Sequence, residues 1–176
     1  DTTRMNLRAG VINGPKNPQF SFSTILTGEI RDRDAELLAE YKNEKGKTGV
    51  LLGVNARPLV GGRGKGDGLA FTLIPEEPII AFRKFHFNED HNWIYLHKNM
   101  RVYANVDMWD DEGMGFRVHS VQGDTVSLQN IDVEIRRIRL DEITSVLPYF
   151  PEITGLFSAE AHYIQTEKDL QLSAEA

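Results

Sequence analysis

The sequence predicts an all-β fold: an antiparallel meander with one apolar face and one short helical plug. Three observations predict it. Apolar and polar residues alternate with period two through most of the chain. Clusters of Gly, Asn, Asp and Pro punctuate that alternation at short intervals, as hairpin loops do. Near the C-terminal end, "LDEITSVLPYFPEITG" (140–155) lengthens its period to that of a helix, and two prolines stop it.

The elements follow in order. "RMNLRAGVI" places Met5, Leu7, Ala9 and Val11 on one face, and "QFSFSTIL" pairs Phe20 with Phe22. "RDRDAELLAEYKNE" is rich in the helix formers Ala, Glu and Leu. Its Leu37, Ala39 and Tyr41 nevertheless alternate between strand neighbours, so it reads as a strand. "GVLLGVNARP" aligns Val50, Leu52, Val54 and Ala56; "GLAFTLIP" aligns Leu69, Phe71 and Leu73. The cleanest alternation is "MRVYANVDMW". Met100, Val102, Ala104, Val106 and Met108 face one way; Arg101, Tyr103, Asn105, Asp107 and Trp109 face the other. "TVSLQNIDVEI" and "GLFSAEAHYI" follow, with a slip of phase between Leu128 and Ile131 that predicts a bulge. Turns are expected at "NGPKNP", "NEKGKTG", "GGRGKGDG", "IPEEP", "NEDHN", "DDEGMG", "VQGD" and "TEKD", giving about ten to twelve strands of ordinary length.

The plug follows from its own spacing. Leu140, Ile143 and Leu147 fall at i, i+3 and i+7 with Val146 beside them, a helical stripe. Asp141 is placed to accept from the free N–H groups of the first turn. A helix this short is unstable alone. Ile143, Val146 and Leu147 are therefore expected to be buried against the sheet's own apolar face.

Composition narrows function. The 176 residues suffice for one domain with a core, and 1–176 reads as a fragment of something longer, with a weak sub-boundary at the Gly-rich loop 61–68. A net charge of −6 argues against a nucleic-acid partner. The absence of cysteine removes disulfides, thiolate metal ligands and cysteine nucleophiles.

Candidate chemistry is sparse. "GGRGKGDG" lacks the Lys-Ser/Thr step and the following helix of a phosphate loop. "DMWDDEGMG" puts Trp109 and Glu112 where a calcium loop needs an acidic residue and a glycine. "HFNEDHNWIYLH" gathers His86, Glu89, Asp90, His91 and His97, a mixed set that can bind zinc; His86 between two phenylalanines on a strand is expected to point outward. No serine sits in a nucleophile elbow and no acid–base pair is recognisable. The expectation is a non-enzyme with no catalytic residues, no metal and no cofactor. The apolar face itself is what is left, and alternation alone does not tell a sandwich core from the lining of an open groove.

The stretch from "FTLIPEEPIIAFRKFHFNEDHNWIYLHKNMRVYANVDMWDDEGMGFRVHS" through "LQNIDVEIRRIRLDEITSVLPYFPEITGLFSAEAHYI" resembles the TamB family, the translocation and assembly module inner-membrane subunit, in its Bacteroides-like form. That family and the related AsmA-like proteins repeat a Leu-x-x-Leu-x-x-x-Leu-Pro plug followed by a Gly-Leu strand. Here it corresponds to Leu140, Ile143, Leu147 and Pro148, then Gly155-Leu156, with Ile143 departing from the second leucine. The resemblance covers about residues 46–176 and carries over no functional residue.

The resemblance implies a taco-like, partly open sheet in the periplasm, within an inner-membrane-anchored protein of a Gram-negative bacterium. It implies a part in outer-membrane biogenesis: phospholipid transport along an apolar groove, or a scaffold for outer-membrane protein (autotransporter) assembly. The implied partners are phospholipid acyl chains, neighbouring repeats of the same chain, and an outer-membrane assembly partner of the BamA/TamA type. Outside this family, a β-sandwich adhesion or carbohydrate-binding module would use Trp93, Tyr95, Tyr103 and Trp109. The groove residues expected from alternation are Val102, Ala104, Val106, Met108, Val133, Ile135 and Phe157.

Overall fold

The computed structural model describes residues 2–11, 22–59, 67–121, 123–124, 126–146, 151 and 153–176. The strands are β1 (Thr2–Val11), β2 (Phe22–Arg31), β3 (Asp34–Asn43), β4 (Thr48–Leu59), β5 (Gly68–Ile80) and β6 (Arg83–Lys84). After them come β7 (His86–His97), β8 (Val102–Trp109), β9 (Gly115–Ser120), β10 (Gln129–Arg139), β11 (Leu156–Gln165) and β12 (Leu170–Glu175). One helix, α1 (Leu140–Ser145), sits between β10 and β11.

Strands that follow one another in the chain are neighbours in space. The sheet order is β1-β2-β3-β4-β5-β7-β8-β9-β10-β11-β12, and the two-residue β6 pairs with β5 off that path. All pairings are antiparallel, as short hairpin loops require. Among the described residues β1 and β12 are unpaired edges, so one open sheet forms rather than a sandwich or a closed barrel. "RDRDAELLAEYKNE" is strand as expected, with the hairpin turn Asp32–Arg33 at its start; Asp32 takes φ 54 there.

Two expected turns are bulges instead. "IPEEP" lies within β5: Leu51 pairs with Ile79 and Gly53 with Ile74, so residues 75–78 stand against Leu52 alone. Looping both prolines out keeps residues without an N–H away from the ladder. "NEDHN" lies within β7, where Phe87 pairs with Met108 and Asn92 with Val106, so residues 88–91 stand against Asp107. Met100, expected on a strand face, occupies the β7–β8 turn with φ 64 and is 70% exposed. The bulge expected between Leu128 and Ile131 falls elsewhere. β10 begins at Gln129, and its register shifts between Ile135 and Ile138, where Arg137 takes φ 49. Phe20, residues 61–66 of the Gly-rich loop and Leu147 lie outside the described residues.

The helix forms where its spacing predicted it, but its burial differs from expectation. Ile143 and Val146 are half-buried, and Thr144 is the buried residue. Among the described residues no second layer lies over the helix, and the Thr144 hydroxyl donates to Leu140 O (2.9 Å). Asp141 makes no capping bond; it pairs with Arg139 (3.2 Å). The buried apolar cluster is Phe85, Met108 and Met114, packed by Ile80, Phe87, Phe116 and Ile138 at one end of β8.

Candidate functional site

Residues directly opposite in an antiparallel pair point to the same side of the sheet. The registers therefore fix which side chains share a face. One row runs Thr3, Ile30, Ala35, Ala56, Phe71, Ile94 and Ala104 across β1 to β8. It carries on past the bond from Ala104 N to Ser120 Oγ (2.9 Å) through Ile131 and Tyr163 to Leu172 on β12. A second row links Met5, Gly28, Leu37, Val54 and Leu73. A third links Val106, Val118, Val133, Ala161 and Ala174. No charged side chain lies on these rows, and together they join both edges of the sheet.

All seven expected groove residues fall on this face. Val102, Ala104, Val106 and Met108 lie along β8, while Val133 and Ile135 reach them through Val118 and Phe116 of β9. Phe157 keeps the phase of Ala159 and Ala161 along β11, and the Arg136–Arg137 bulge brings Ile138 of β10 back to the same side opposite it. Ala104, Val106 and Met108 are 3%, 1% and 4% exposed. Leu37 and Phe157, by contrast, are 39% and 37% exposed, and Leu172 is 67% exposed. The face thus has a packed floor on β8 and bare apolar flanks toward β1 and β12.

Sequence reasoning missed Val118, Phe116, Leu37 and Leu172 as members of this surface. Their short strands alternate, but cross-strand register is needed to place them beside β8.

Two polar side chains on the face are spent on the backbone. Asn92 accepts from Leu73 N (2.9 Å) and donates to Leu73 O (2.8 Å), replacing the ladder bonds that the β7 bulge interrupts. Gln129 accepts from Val102 N (3.1 Å) and donates to Met100 O (2.8 Å). Burial is the main cause that pushes the Tyr41 phenol above its ordinary range. Such a surface offers dispersion and desolvation to a ligand, with little directional bonding.

The reverse face carries the charge. Arg4 pairs with Glu29 (3.2 Å), and Arg136 pairs with Glu134 (2.8 Å) and Asp107 (3.2 Å). Asp132 takes His119 on one oxygen (3.2 Å) and His162 on the other. The Arg136 guanidinium is held above its ordinary range, first by its bond to Glu134. An apolar patch interrupts this face where Thr27, Leu38, Gly53 and Ile74 align across β2 to β5.

The four aromatic residues considered for sugar binding also lie on the reverse face and are half-buried. Trp93 and Tyr95 stack on each other at 4.6 Å and 18°, which turns one flat face of each ring toward its neighbour. His86 stands edge-on to Trp109 and beside Asp111 (3.2 Å). Among the described residues no group of three or more His or carboxylate side chains is placed to hold a metal ion.

No family model, no curated protein and no solved structure matches this chain.

Proposed function

We propose that this chain is a non-enzymatic segment of a TamB-like envelope protein whose apolar β-groove carries phospholipid acyl chains through the periplasm. The observation that carries the reading is the uncharged row running from Thr3 to Leu172 on a sheet that stays open. Ten inter-strand steps of about 4.8 Å make this an apolar track of about 48 Å. Each buried methylene stabilises a bound chain by about 0.8 kcal/mol, so a long acyl chain is held without a specific pocket. Diffuse contact of this kind also lets the cargo move on. The resemblance of "EITSVLPYFPEITG" and its neighbours to TamB supplies the periplasmic setting and the inner-membrane anchor of the parent.

The test uses two adjacent exposed residues of β12 that face opposite ways, Leu172 and Ser173. The purified chain is mixed with vesicles containing a fluorescent phospholipid, and uptake is measured. Leu172→Glu places a charge on the track and is expected to lower uptake several-fold. Ser173→Glu, on the reverse face, leaves uptake unchanged. Equal loss in both variants, or no uptake by the unaltered chain, overturns the groove reading. A scaffold for outer-membrane protein assembly would instead show binding of unfolded outer-membrane strands with no uptake of lipid.

A further inference from the structure

The end of the apolar face beside Met108 is closed by elements that are not part of the eleven-strand path. The β5–β6 hairpin folds back there: Phe82 N donates to Gly49 O (3.0 Å), and Phe85 N donates to Pro78 O (2.9 Å). Arg83, at the start of β6, then gathers three carboxylates from two other elements. Its Nε and Nη2 make a bidentate fork on Glu142 of α1, the second bond at 2.7 Å. Its Nη1 donates to Asp110 (3.0 Å) and lies 2.9 Å from Glu112, both in the β8–β9 turn. Asp110 is 3% exposed, and its other oxygen accepts from Met114 N (2.8 Å). These bonds raise the Arg83 guanidinium further above its already high range, Glu142 contributing most.

We infer that Arg83 is a clasp, and that α1 is a closure over the Met108–Met114 end of the apolar face which opens as a unit when the clasp is weakened. The helix is intrinsically weak. It is six residues long, lacks a side-chain cap and has no basic residue in its last turn. Among the described residues, the other bonds that tie it down include the one from Leu140 N to Gly155 O (3.0 Å) and the local pairs with Arg139. A helix of that length does not persist on its own hydrogen bonds. Local opening therefore needs far less than global unfolding. The way in already exists: a cleft of about 500 Å³ is lined by Arg83, Asp110, Asp141 and Met114, although Met114 itself is 2% exposed. The clasp stands on this geometry; only the consequence, that opening admits lipid at this end, rests on the proposed function.

Methionine oxidation reads the opening directly. The chain has four methionines. Met5 and Met100 are 53% and 70% exposed and serve as internal references; Met108 and Met114 are buried. The chain is treated with dilute peroxide and each site is followed by mass spectrometry, alongside hydrogen exchange of the backbone. In Glu142→Gln, oxidation of Met114 relative to Met100 is expected to rise about tenfold, as loss of a charge-assisted bond shifts the opening equilibrium. Exchange of residues 140–146 rises with it while β8 and β10 stay protected. Arg83→Lys keeps a charge beside buried Asp110 but cannot make the planar fork, and is expected to act in the same direction. Unchanged Met114 oxidation in both variants, or equal loss of protection in α1, β8 and β10, overturns the clasp. Clasp-dependent oxidation in a chain that takes up no phospholipid supports the clasp and overturns the conduit.

Discussion

Val106→Ala tests whether the β8 floor is packed structure while the flanks are free to bind. Val106 is 1% exposed, with Asn92 and Val118 opposite it in register. The change removes the equivalent of two methylenes, about 1.6 kcal/mol of transfer free energy. A cavity that does not collapse adds about 1 kcal/mol more. The expected loss is therefore about 2–3 kcal/mol, which lowers Tm by about 4–12 °C in a chain of this size. Leu172→Ala removes a larger group, yet Leu172 is 67% exposed, so most of it is already in water. Its expected loss is below about 1 kcal/mol. Urea unfolding followed by tryptophan fluorescence measures both, with the denaturant slope unchanged. A loss for Val106→Ala under about 0.5 kcal/mol, or an equal loss for the two variants, would refute the division into a packed floor and bare flanks.

Gly53→Ala is expected to destabilise by about 1–3 kcal/mol, because a Cβ there would lie 2.3 Å from Leu37 O on the paired strand. Gly113→Ala meets no atom within 4 Å, so its φ of +81 alone sets a smaller loss of about 1 kcal/mol; thermal melts of the two variants check the order. Asp124 accepts from Asn130 Nδ2 (2.6 Å) and from Val126 N and Ser127 N (both 2.9 Å). Those bonds, Asn130 first, hold its carboxyl well below the usual range. Its contribution to the β9–β10 loop is then fully present above the ordinary carboxylate range and is lost only as pH falls through the lowered value. Hydrogen exchange at Val126 and Ser127 should accordingly stay slow at pH 4 and quicken in Asp124→Ala at any pH. A chelator is expected to leave the melting temperature unchanged, and a shift would point to a bound cation.

Much of the fold was legible because period-two patterning is a direct record of one-sided burial. β8 shows this best: Val102, Ala104, Val106 and Met108 face one way in sequence and in space. The plug was legible from Leu140 and Ile143, although its burial was not, since burial depends on what lies above the helix. The bulges were illegible for a different reason. Proline and glycine-like signals at "IPEEP" and "NEDHN" mark a break in pairing, but a bulge and a turn use the same residue types. Only the neighbouring strand decides between them. The apolar face was half legible. Each strand announced an apolar side, but whether successive sides coincide depends on register, which bulges at residues 75–78 and 88–91 reset. Openness left no trace in the alternation, because a sandwich core and an open groove demand the same residues.

The division of labour across the sheet follows from these registers. Val106 and Met108 sit where neighbouring side chains cover them, so they hold the fold. Leu37 and Leu172 sit toward the edges, where the apolar face stays bare. Polar groups that would otherwise interrupt the face, such as the Asn92 amide, are turned onto backbone atoms.

Photo-cross-linking in cells that make the chain tests the central claim most directly. A photoreactive residue replaces Leu37 or Leu172 on the apolar face, and Glu36 or Ser173 on the reverse face serves as the matched control; all four are exposed. The account predicts phospholipid adducts at Leu37 and Leu172 and none at Glu36 and Ser173. Adducts to outer-membrane proteins at the first pair, or lipid adducts on both faces alike, would contradict it.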